Sequence, residues 1–453
     1  MTSVATMASA AVSSDRAPSV VYLLRGLRRG AIDRMDLFRD QLRRVEAARD
    51  LNAFLWADAD GLISAAEAAD VAGKPLAGLP IALKDNIDTA GIPTTSGSLV
   101  DRERIPTRDA AVWQRLRDRG GAVLLGKTHM SEFAYRSHHP GLGPVRNPRN
   151  LERATGGSSS GSAAAVAAGI CAAAIGTDTG GSVRIPAAYC GVVGFKGTSG
   201  IVSNEGVVPL STTMDNVGVL ARSVTDAAIV FEQLTTESVQ LVDGDTLRAR
   251  PADPGRLRVG VERGWFASGA QPAVIRAWSR TVDSLASAGC SIIEVALPRA
   301  ARWRAAHKTI LLREAWRYHA DRLRTDAPYG PVFRSAVSRG ADITPARYER
   351  ALALRRESRD TLAEVFGRVD VILTPTCPTV APPADEGRRR LLYTRYTTLA
   401  AFAGIPAISV PAGTGSLGLP ISVQFMAAAD AEPTLVAAAA LLEDRLASAT
   451  VTA

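Results

Sequence analysis

The chain has 453 residues, of which 46% are apolar and 22% charged, proportions typical of a folded globular protein. Its net charge is +8, but basic and acidic residues are interspersed, so no basic stripe is visible and no nucleic-acid partner is expected. The four cysteines lie far apart without a CxxC pair. This spacing excludes a disulfide framework and a zinc ribbon, and it predicts a cytoplasmic location.

The first part of the chain is predicted to be mostly helical. Residues 1–19 are rich in Ala, Ser and Thr and lack the pattern of a secretory signal, which predicts a flexible lead-in. From Ser19 to Leu55, apolar residues recur three and four positions apart, which indicates amphipathic helix. An apolar strand ending at Lys84 follows, and then come a helix near Ala110–Arg119 and the strand GAVLLGKT.

Strands and helices alternate in the rest of the chain. A Gly/Ser loop opens the Ala-rich helix of GGSSSGSAAAVAAG, and a small-residue strand leads to a second loop, DTGGS. Helical patterns cover Pro272–Gly289 and Ala300–Phe366, and the strands VDVILTPT, PAISVPAG and LPISVQFM precede a last helix. This alternation predicts an α/β fold whose helices cover a largely buried sheet.

The most apolar stretch, Ala163–Gly176, is too short for a membrane span. It has about 14 residues, whereas a spanning helix needs about 20. No association with a membrane is therefore expected.

Two motifs match known patterns in an unsuitable context. Gly121–Thr128 matches the P-loop pattern GxxxxGK[ST], but its Ala-Val-Leu-Leu centre predicts a buried strand rather than a phosphate-binding turn. Ser159 is central to GSSSG, which matches the GxSxG nucleophile elbow, but a polar loop precedes it and no histidine has an acid–His context. Nucleotide binding and a Ser-His-Asp triad are both disfavoured.

Three other features together indicate serine-based chemistry. GGSSSGS gathers hydroxyl and N–H groups at the positive end of a helix, and DTGGS places Ser182 where successive N–H groups can form an oxyanion hole. Lys84 ends an apolar strand, where burial favours the neutral amine. Taken one at a time, the three features have simpler explanations: a helix cap, a tight turn and a strand-end lysine that reaches solvent. Without a histidine partner, a neutral lysine remains as the base that activates a serine.

The same segments resemble a known family. LKDNIDTAGIPTTSGS, ATGGSSSGSAAAVAAG and GTDTGGSVRIPAAYCGVVGFKGT are similar to the motifs of amidase signature enzymes, and the likeness extends over about Val20 to Leu446. The resemblance implies one large domain over residues 20–450, with a central twisted mixed β-sheet covered by helices on both faces. It also implies a hydrolase that needs neither a metal nor an organic cofactor.

The resemblance also implies roles for individual residues. Ser182 would be the nucleophile, Ser158 the bridging serine after a cis peptide bond, and Lys84 the base. The N–H groups of the oxyanion hole would come from Thr179, Gly180, Gly181 and Ser182. The residues that support these loops would be Ser159, Asp178 and Arg184.

The loop Met130–Asn147 resembles the family segment that lines the acyl pocket, which would place Phe133 and Tyr135 near the substrate. The family usually has GGSSGGS, so Ser160 stands here where a glycine is usual. The added hydroxyl could be silent, or it could tighten the loop beside Ser158.

The expected reaction is hydrolysis of a linear amide, or of a similar carbamate or ester, by a monomer or homodimer. The aromatic side chains of the pocket loop favour aryl or apolar groups, as in an aryl acylamidase or a urethanase. The alternative is a glutamine- or asparagine-dependent amidotransferase subunit that works with a partner protein on tRNA. A non-catalytic binding protein is disfavoured because the triad is intact.

Overall fold

The computed structural model describes residues 17–384 and 393–451. Most of the expected lead-in, residues 1–16, lies outside the described residues. The strands are β1 (Phe54–Trp56), β2 (Pro80–Lys84), β3 (Val123–Thr128), β4 (Ala173–Asp178), β5 (Val193–Lys196), β6 (Asn216–Ala221), β7 (Arg258–Val261), β8 (Ser291–Glu294), β9 (Val371–Pro375), β10 (Ala407–Thr414) and β11 (Pro420–Ala427). The α-helices are α1 (Val20–Arg28), α2 (Arg34–Ala47), α3 (Ala59–Ala68), α4 (Ala111–Gln114), α5 (Ser160–Ala167), α6 (Arg184–Cys190), α7 (Val224–Glu232), α8 (Pro272–Ser287), α9 (Ala300–Leu323), α10 (Pro331–Ser338), α11 (Pro345–Phe366), α12 (Thr398–Ala403) and α13 (Glu432–Val451).

The strands form one mixed sheet in the order β1-β3-β2-β4-β6-β5-β10-β11-β9-β7-β8. Strand β2 is parallel to β3 and β4, and β7 is parallel to β8 and β9. The other pairs are antiparallel. The parallel pairs matter for function because they bring the carboxyl ends of β2 and β4 to the same edge of the sheet.

Hydrophobic cores lie on both faces of this sheet. In β9, Val371 and Leu373 belong to one buried cluster, whereas Ile372 between them belongs to another. Because successive side chains of a strand point to opposite faces, the two clusters lie on opposite sides. The first cluster includes Phe231 of α7, and the second includes Trp303 of α9. The predicted α/β fold, one domain with helices on both faces, is confirmed.

The helical pattern from Ser19 to Leu55 is divided in the structure into α1 and α2, followed by the short strand β1. Gly30 adopts φ 66° in the turn between the helices, and Asp33 caps α2 by accepting a hydrogen bond from the N–H of Asp36. The periodicity continues across this turn because both helices bury residues in the same core.

The long helical region predicted over Ala300–Phe366 is likewise divided into three helices. Pro331 and Pro345 stand at the first positions of α10 and α11. Proline is tolerated there because a first-turn N–H has no acceptor within the helix.

The P-loop-like segment forms the buried strand β3 and holds its lysine against a carboxylate. The Nζ atom of Lys127 lies 3.6 Å from Oδ1 of Asp85 and 2.6 Å from Oγ1 of Thr94. Burial lowers the pKa of Lys127 and raises that of Asp85, and each charge partly opposes the shift of the other. Lys127 is therefore half of a buried ion pair.

The four cysteines are unpaired and buried. Among the helices of the described ranges, none is both long and apolar enough to cross a membrane. The cytoplasmic location stays a prediction.

We expect Lys127→Met to destabilise the protein by about 3–5 kcal/mol, because it leaves the Asp85 carboxylate buried without its partner. Lys74→Met is the matched control, since Lys74 pairs with the exposed Asp70 and such pairs contribute about 0–1 kcal/mol. Unfolding in guanidinium chloride gives the free energy of unfolding of each variant. Equal losses in the two variants would contradict the structural role of the buried pair.

Candidate active site

The candidate site lies where the parallel strands β2 and β4 end beside the loop that precedes α5. Lys84, the last residue of β2, is fully buried, and its Nζ atom lies 2.7 Å from Oγ of Ser158. The same nitrogen lies 2.6 Å from Oγ1 of Thr177 in β4. The sheet thus brings together two of the predicted catalytic residues, which are 74 positions apart in the chain.

Burial sets the protonation of this lysine. Desolvation lowers the pKa of Lys84 to about 7, although the carboxylates of Asp215 and Asp178 act in the opposite direction. The neutral amine, with its free lone pair, is therefore far more accessible near neutral pH than in an exposed lysine. A lysine at the protein surface could not supply such a base, because its pKa is close to 10.4.

The Gly/Ser loop is joined to its neighbours through its backbone and hydroxyl groups. The Gly157–Ser158 peptide bond is cis, as the resemblance implied, and the carbonyl of Ser158 accepts from the N–H of Ser131 at 3.1 Å. Ser159 is buried, and its Oγ lies 3.2 Å from both the N and the O atom of Thr177. These contacts attach the loop to the end of β4.

The second loop presents Ser182 next to the first. The N–H of Ser159 donates to the carbonyl of Ser182 at 3.1 Å. Ser182 is partly exposed, whereas Lys84 and Ser158 are buried. A substrate from solvent could therefore meet the Ser182 hydroxyl first, with the base behind it.

A buried ion pair supports the turn that carries Ser182. Arg184 donates to both carboxylate oxygens of Asp178 at 3.0 Å, and both side chains are fully buried. Burial alone would raise the pKa of Asp178, but the charge and hydrogen bonds of Arg184 outweigh it and hold that pKa below its usual value. Arg184 also donates to Oε1 of Gln424 in β11 at 2.9 Å. The predicted supporting pair is thus anchored to the far half of the sheet.

One expected oxyanion donor is already engaged. The N–H of Gly181 donates to Oδ1 of Asp178 at 2.7 Å, so it is not free to bind a substrate in this geometry. In the described part of the chain, no group accepts from the N–H of Gly180 or of Ser182. The contribution of Gly181 to the oxyanion hole stays a prediction, and the carboxylate that supports the turn already accepts from this N–H.

The unusual Ser160 has a partner. Its hydroxyl is buried and lies 2.8 Å from Nε2 of His138, whose ring packs edge-on against His129. The added hydroxyl thus joins the start of α5 to the loop that carries Phe133 and Tyr135. Its effect on the loop beside Ser158 stays a prediction.

The two residues expected to line the substrate pocket are largely buried. Phe133 is 2% exposed and packs against His319, Tyr329 and Phe333. Tyr135 is 9% exposed, and the guanidinium of Arg136 lies over its ring. Their contact with substrate stays a prediction, and Phe133 has a clear role in the core.

Several residues near the site carried no signal in the sequence. Thr177 alone could have been suspected, since it immediately precedes DTGGS on the same strand. The others come from distant segments without a motif and contact the loop of Thr179 and Gly180, or its supports: Asp215, His307, Thr397 and Gln424. Within the described ranges, no cluster of three or more His, Cys, Asp or Glu residues could hold a metal ion.

Comparisons with known proteins place this geometry in a family. A sequence model described as Amidase matches residues 36–436. A glutamyl-tRNA(Gln) amidotransferase subunit of Koribacter versatilis (strain Ellin345) is 35% identical over 450 residues, which cover 90% of this chain and 94% of the relative. A crystal structure of an amidase superposes with a TM-score of 0.86 at 31% identity, covering 94% of this chain and 100% of the other.

A solved structure of a glutamyl-tRNA(Gln) amidotransferase subunit from Thermotoga maritima gives a TM-score of 0.77 at 30% identity and covers 91% of each chain. These relatives show that the exclusion of a nucleic-acid partner was wrong, because they are named as subunits of an enzyme for glutamyl-tRNA(Gln). Interspersed charges exclude a basic stripe on one chain, but they do not exclude a nucleic acid handled by an assembly of subunits. The match over nearly the whole length, with the fold and the loops described above, shows that the chain belongs to the amidase family.

Proposed function

We propose that this chain cleaves the C–N bond of a carboxamide through an acyl-enzyme on Ser182. The observation that carries the proposal is the buried Lys84 amine at 2.7 Å from the Ser158 hydroxyl. A serine hydroxyl needs a nearby base at neutral pH, and a lysine with a pKa of about 7 can act as one.

In the proposed reaction, the neutral amine of Lys84 takes the proton of Ser158 while Ser158 takes that of Ser182. The Ser182 oxygen attacks the amide carbonyl, and N–H groups of the adjacent turn stabilise the oxyanion. The relay then runs in reverse and protonates the leaving nitrogen, which departs as ammonia or an amine. Water releases the acid by the same steps.

We further propose that the chain serves as the amide-cleaving subunit of a glutamyl-tRNA amidotransferase. The support is the similarity to the amidotransferase subunits named above over about 90% of the chain, which extends far beyond the catalytic loops. In this role the leaving group is ammonia from glutamine or asparagine, and a partner protein uses it on tRNA. No relative compared above supports a carbamate or an ester as the substrate.

A stand-alone amidase is the second candidate. The TM-score of 0.86 to a solved amidase exceeds the 0.77 to the solved amidotransferase subunit, although the sequence identities are nearly equal. The catalytic steps are the same in both roles. The difference lies in the leaving group and in the need for a partner.

The first test concerns the base. We expect kcat/KM to rise with pH through about 7 and then level off, because only deprotonated Lys84 can accept a proton. Lys84→Arg and Lys84→Met should both lower kcat by about 10²–10⁴-fold, since a guanidinium keeps its proton. Rates of amide hydrolysis between pH 5.5 and 9 measure this rise of kcat/KM with pH. An active Lys84→Arg variant would show that position 84 needs only a positive charge.

The second test separates the two roles. Cleavage of glutamine, asparagine and acetamide is measured as ammonia release, and cleavage of 4-nitroacetanilide as release of 4-nitroaniline. Each is measured with the purified chain alone and after co-expression with the other amidotransferase subunits of its own genome. We expect glutamine or asparagine to be cleaved mainly with the partners present. Ser182→Ala, which removes the nucleophile, should abolish the reaction in every case. Fast cleavage of the other amides by the chain alone would favour the stand-alone amidase.

A further inference from the structure

Two side chains from distant segments hold successive carbonyls of the turn that carries Ser182. His307 of α9 places its Nε2 atom 2.7 Å from the carbonyl oxygen of Thr179. Thr397, just before α12, donates its hydroxyl hydrogen to the carbonyl of Gly180 at 2.7 Å. Both side chains are buried, His307 at 6% exposure and Thr397 at 0%. Neither belongs to the Gly/Ser motifs.

These two contacts fix the directions of two peptide planes. In a trans peptide the N–H points opposite to the C=O, so holding one group aims the other. The peptide between Gly180 and Gly181 is held at both ends, because its carbonyl binds Thr397 and its N–H binds Asp178. For the peptide between Thr179 and Gly180, the described residues supply a contact at the carbonyl alone, from His307.

The remaining N–H is that of Gly180, a buried residue. Among the residues that the structure describes, no acceptor lies within reach of its N–H. Buried backbone N–H groups without a partner are rare, and each needs an explanation. This one lies two residues before Ser182 and points away from His307, so the forming oxyanion is a suitable acceptor.

The chemistry of His307 suits a fixed donor. A carbonyl oxygen can only accept, so Nε2 must carry the hydrogen. Burial lowers the pKa of His307 to about 4, so the ring is neutral at neutral pH. A side-chain carbon on Gly180 would lie 3.1 Å from Cε1 of His307, so the ring packs directly on the backbone that it orients.

Thr397 is packed against the next residue in the same way. A side-chain carbon on Gly181 would lie 2.1 Å from Oγ1 of Thr397, and Gly181 has φ 122°. Only glycine fits this position, so the two glycines of DTGGS allow the two distant side chains to reach the backbone.

We propose that His307 is a positioning residue that aims the Gly180 N–H at the oxyanion, with Thr397 holding the next peptide in place. The inference rests on the proposed acyl-enzyme function. Without His307 the peptide between Thr179 and Gly180 can rotate, and the donor is lost in part of the molecules. Because the oxyanion is fully charged only near the transition state, the loss falls on kcat rather than on KM.

The experiment compares His307→Phe, which keeps a ring but has no donor, with His307→Gln, which restores an N–H donor at about the same reach. Thr309→Val is the matched control, since it removes the hydroxyl of a buried α9 residue that donates to the helix carbonyl of Ala305 and not to the loop of Ser182. The kcat and KM values are measured on whichever of glutamine, asparagine, acetamide and 4-nitroacetanilide the wild type cleaves in a Ser182-dependent way, with its partners where they are required. Thermal unfolding checks the fold of each variant.

We expect His307→Phe to lower kcat about 10–100-fold, part of the 10²–10³-fold effect of removing an oxyanion donor, with KM changed less than about 3-fold. His307→Gln should recover most of the loss, and Thr309→Val should match the wild type. If His307→Phe does not fold, Thr397→Val tests the same loop and should lower kcat with little change in KM.

A folded His307→Phe variant with wild-type kcat would overturn the inference. A His307→Gln variant whose kcat is no higher than that of His307→Phe would do the same. Both results would leave Ser182-dependent hydrolysis by the wild type intact. Hydrolysis that survives in Ser182→Ala, or a wild type without activity on these amides, would instead overturn the proposed function itself.

Discussion

The proposed chemistry of this site depends on the burial of one amine, that of Lys84. Lys84 ends a strand in the interior of a sheet, and the loss of hydration brings its pKa down to about 7. Its hydrogen-bond partners, Ser158 and Thr177, are neutral hydroxyl groups rather than carboxylates. A carboxylate in direct contact would favour the charged amine and oppose its proposed function as a base. Lys127 shows the contrast, because it is equally buried but lies against Asp85 and forms a structural ion pair.

The sheet supplies this burial and also assembles the site. Parallel β2 and β4 bring Lys84 and Asp178 to one edge, and the loop before α5 attaches to β4 through Ser159. The Asp178–Arg184 pair then holds the turn of Ser182 against Gln424 in β11. The proposed catalytic residues are thus fixed by contacts from both halves of the sheet, which favours a pre-organised site.

Membership of the amidase family accounts for chemistry that acts on C–N bonds. It does not decide whether the ammonia or amine is released to solvent or passed to a partner protein. The proposed relay of Lys84, Ser158 and Ser182 would serve a stand-alone amidase and an amidotransferase subunit equally well. The two roles would differ in the protein surfaces that bind partners and in the partners themselves. Two related enzymes can differ there while their catalytic loops remain alike.

The sequence by itself determined the α/β class and the amidase resemblance, because Gly/Ser loops and apolar strands carry strong local patterns. The pairing of Lys84 with Ser158 was expected only because that resemblance implies it. The sequence also identified GAVLLGKT as a strand from its apolar centre. It did not reveal the break between α1 and α2, since both helices bury residues in the same core. Nor could it show that Asp178 takes the Gly181 N–H or that Phe133 lies in an aromatic core. His307 and Thr397 are the clearest cases: each binds a backbone carbonyl more than 100 residues away in the chain. A backbone carbonyl is present at every residue, so no sequence pattern marks which one a distant side chain will meet, and only the tertiary packing decides it.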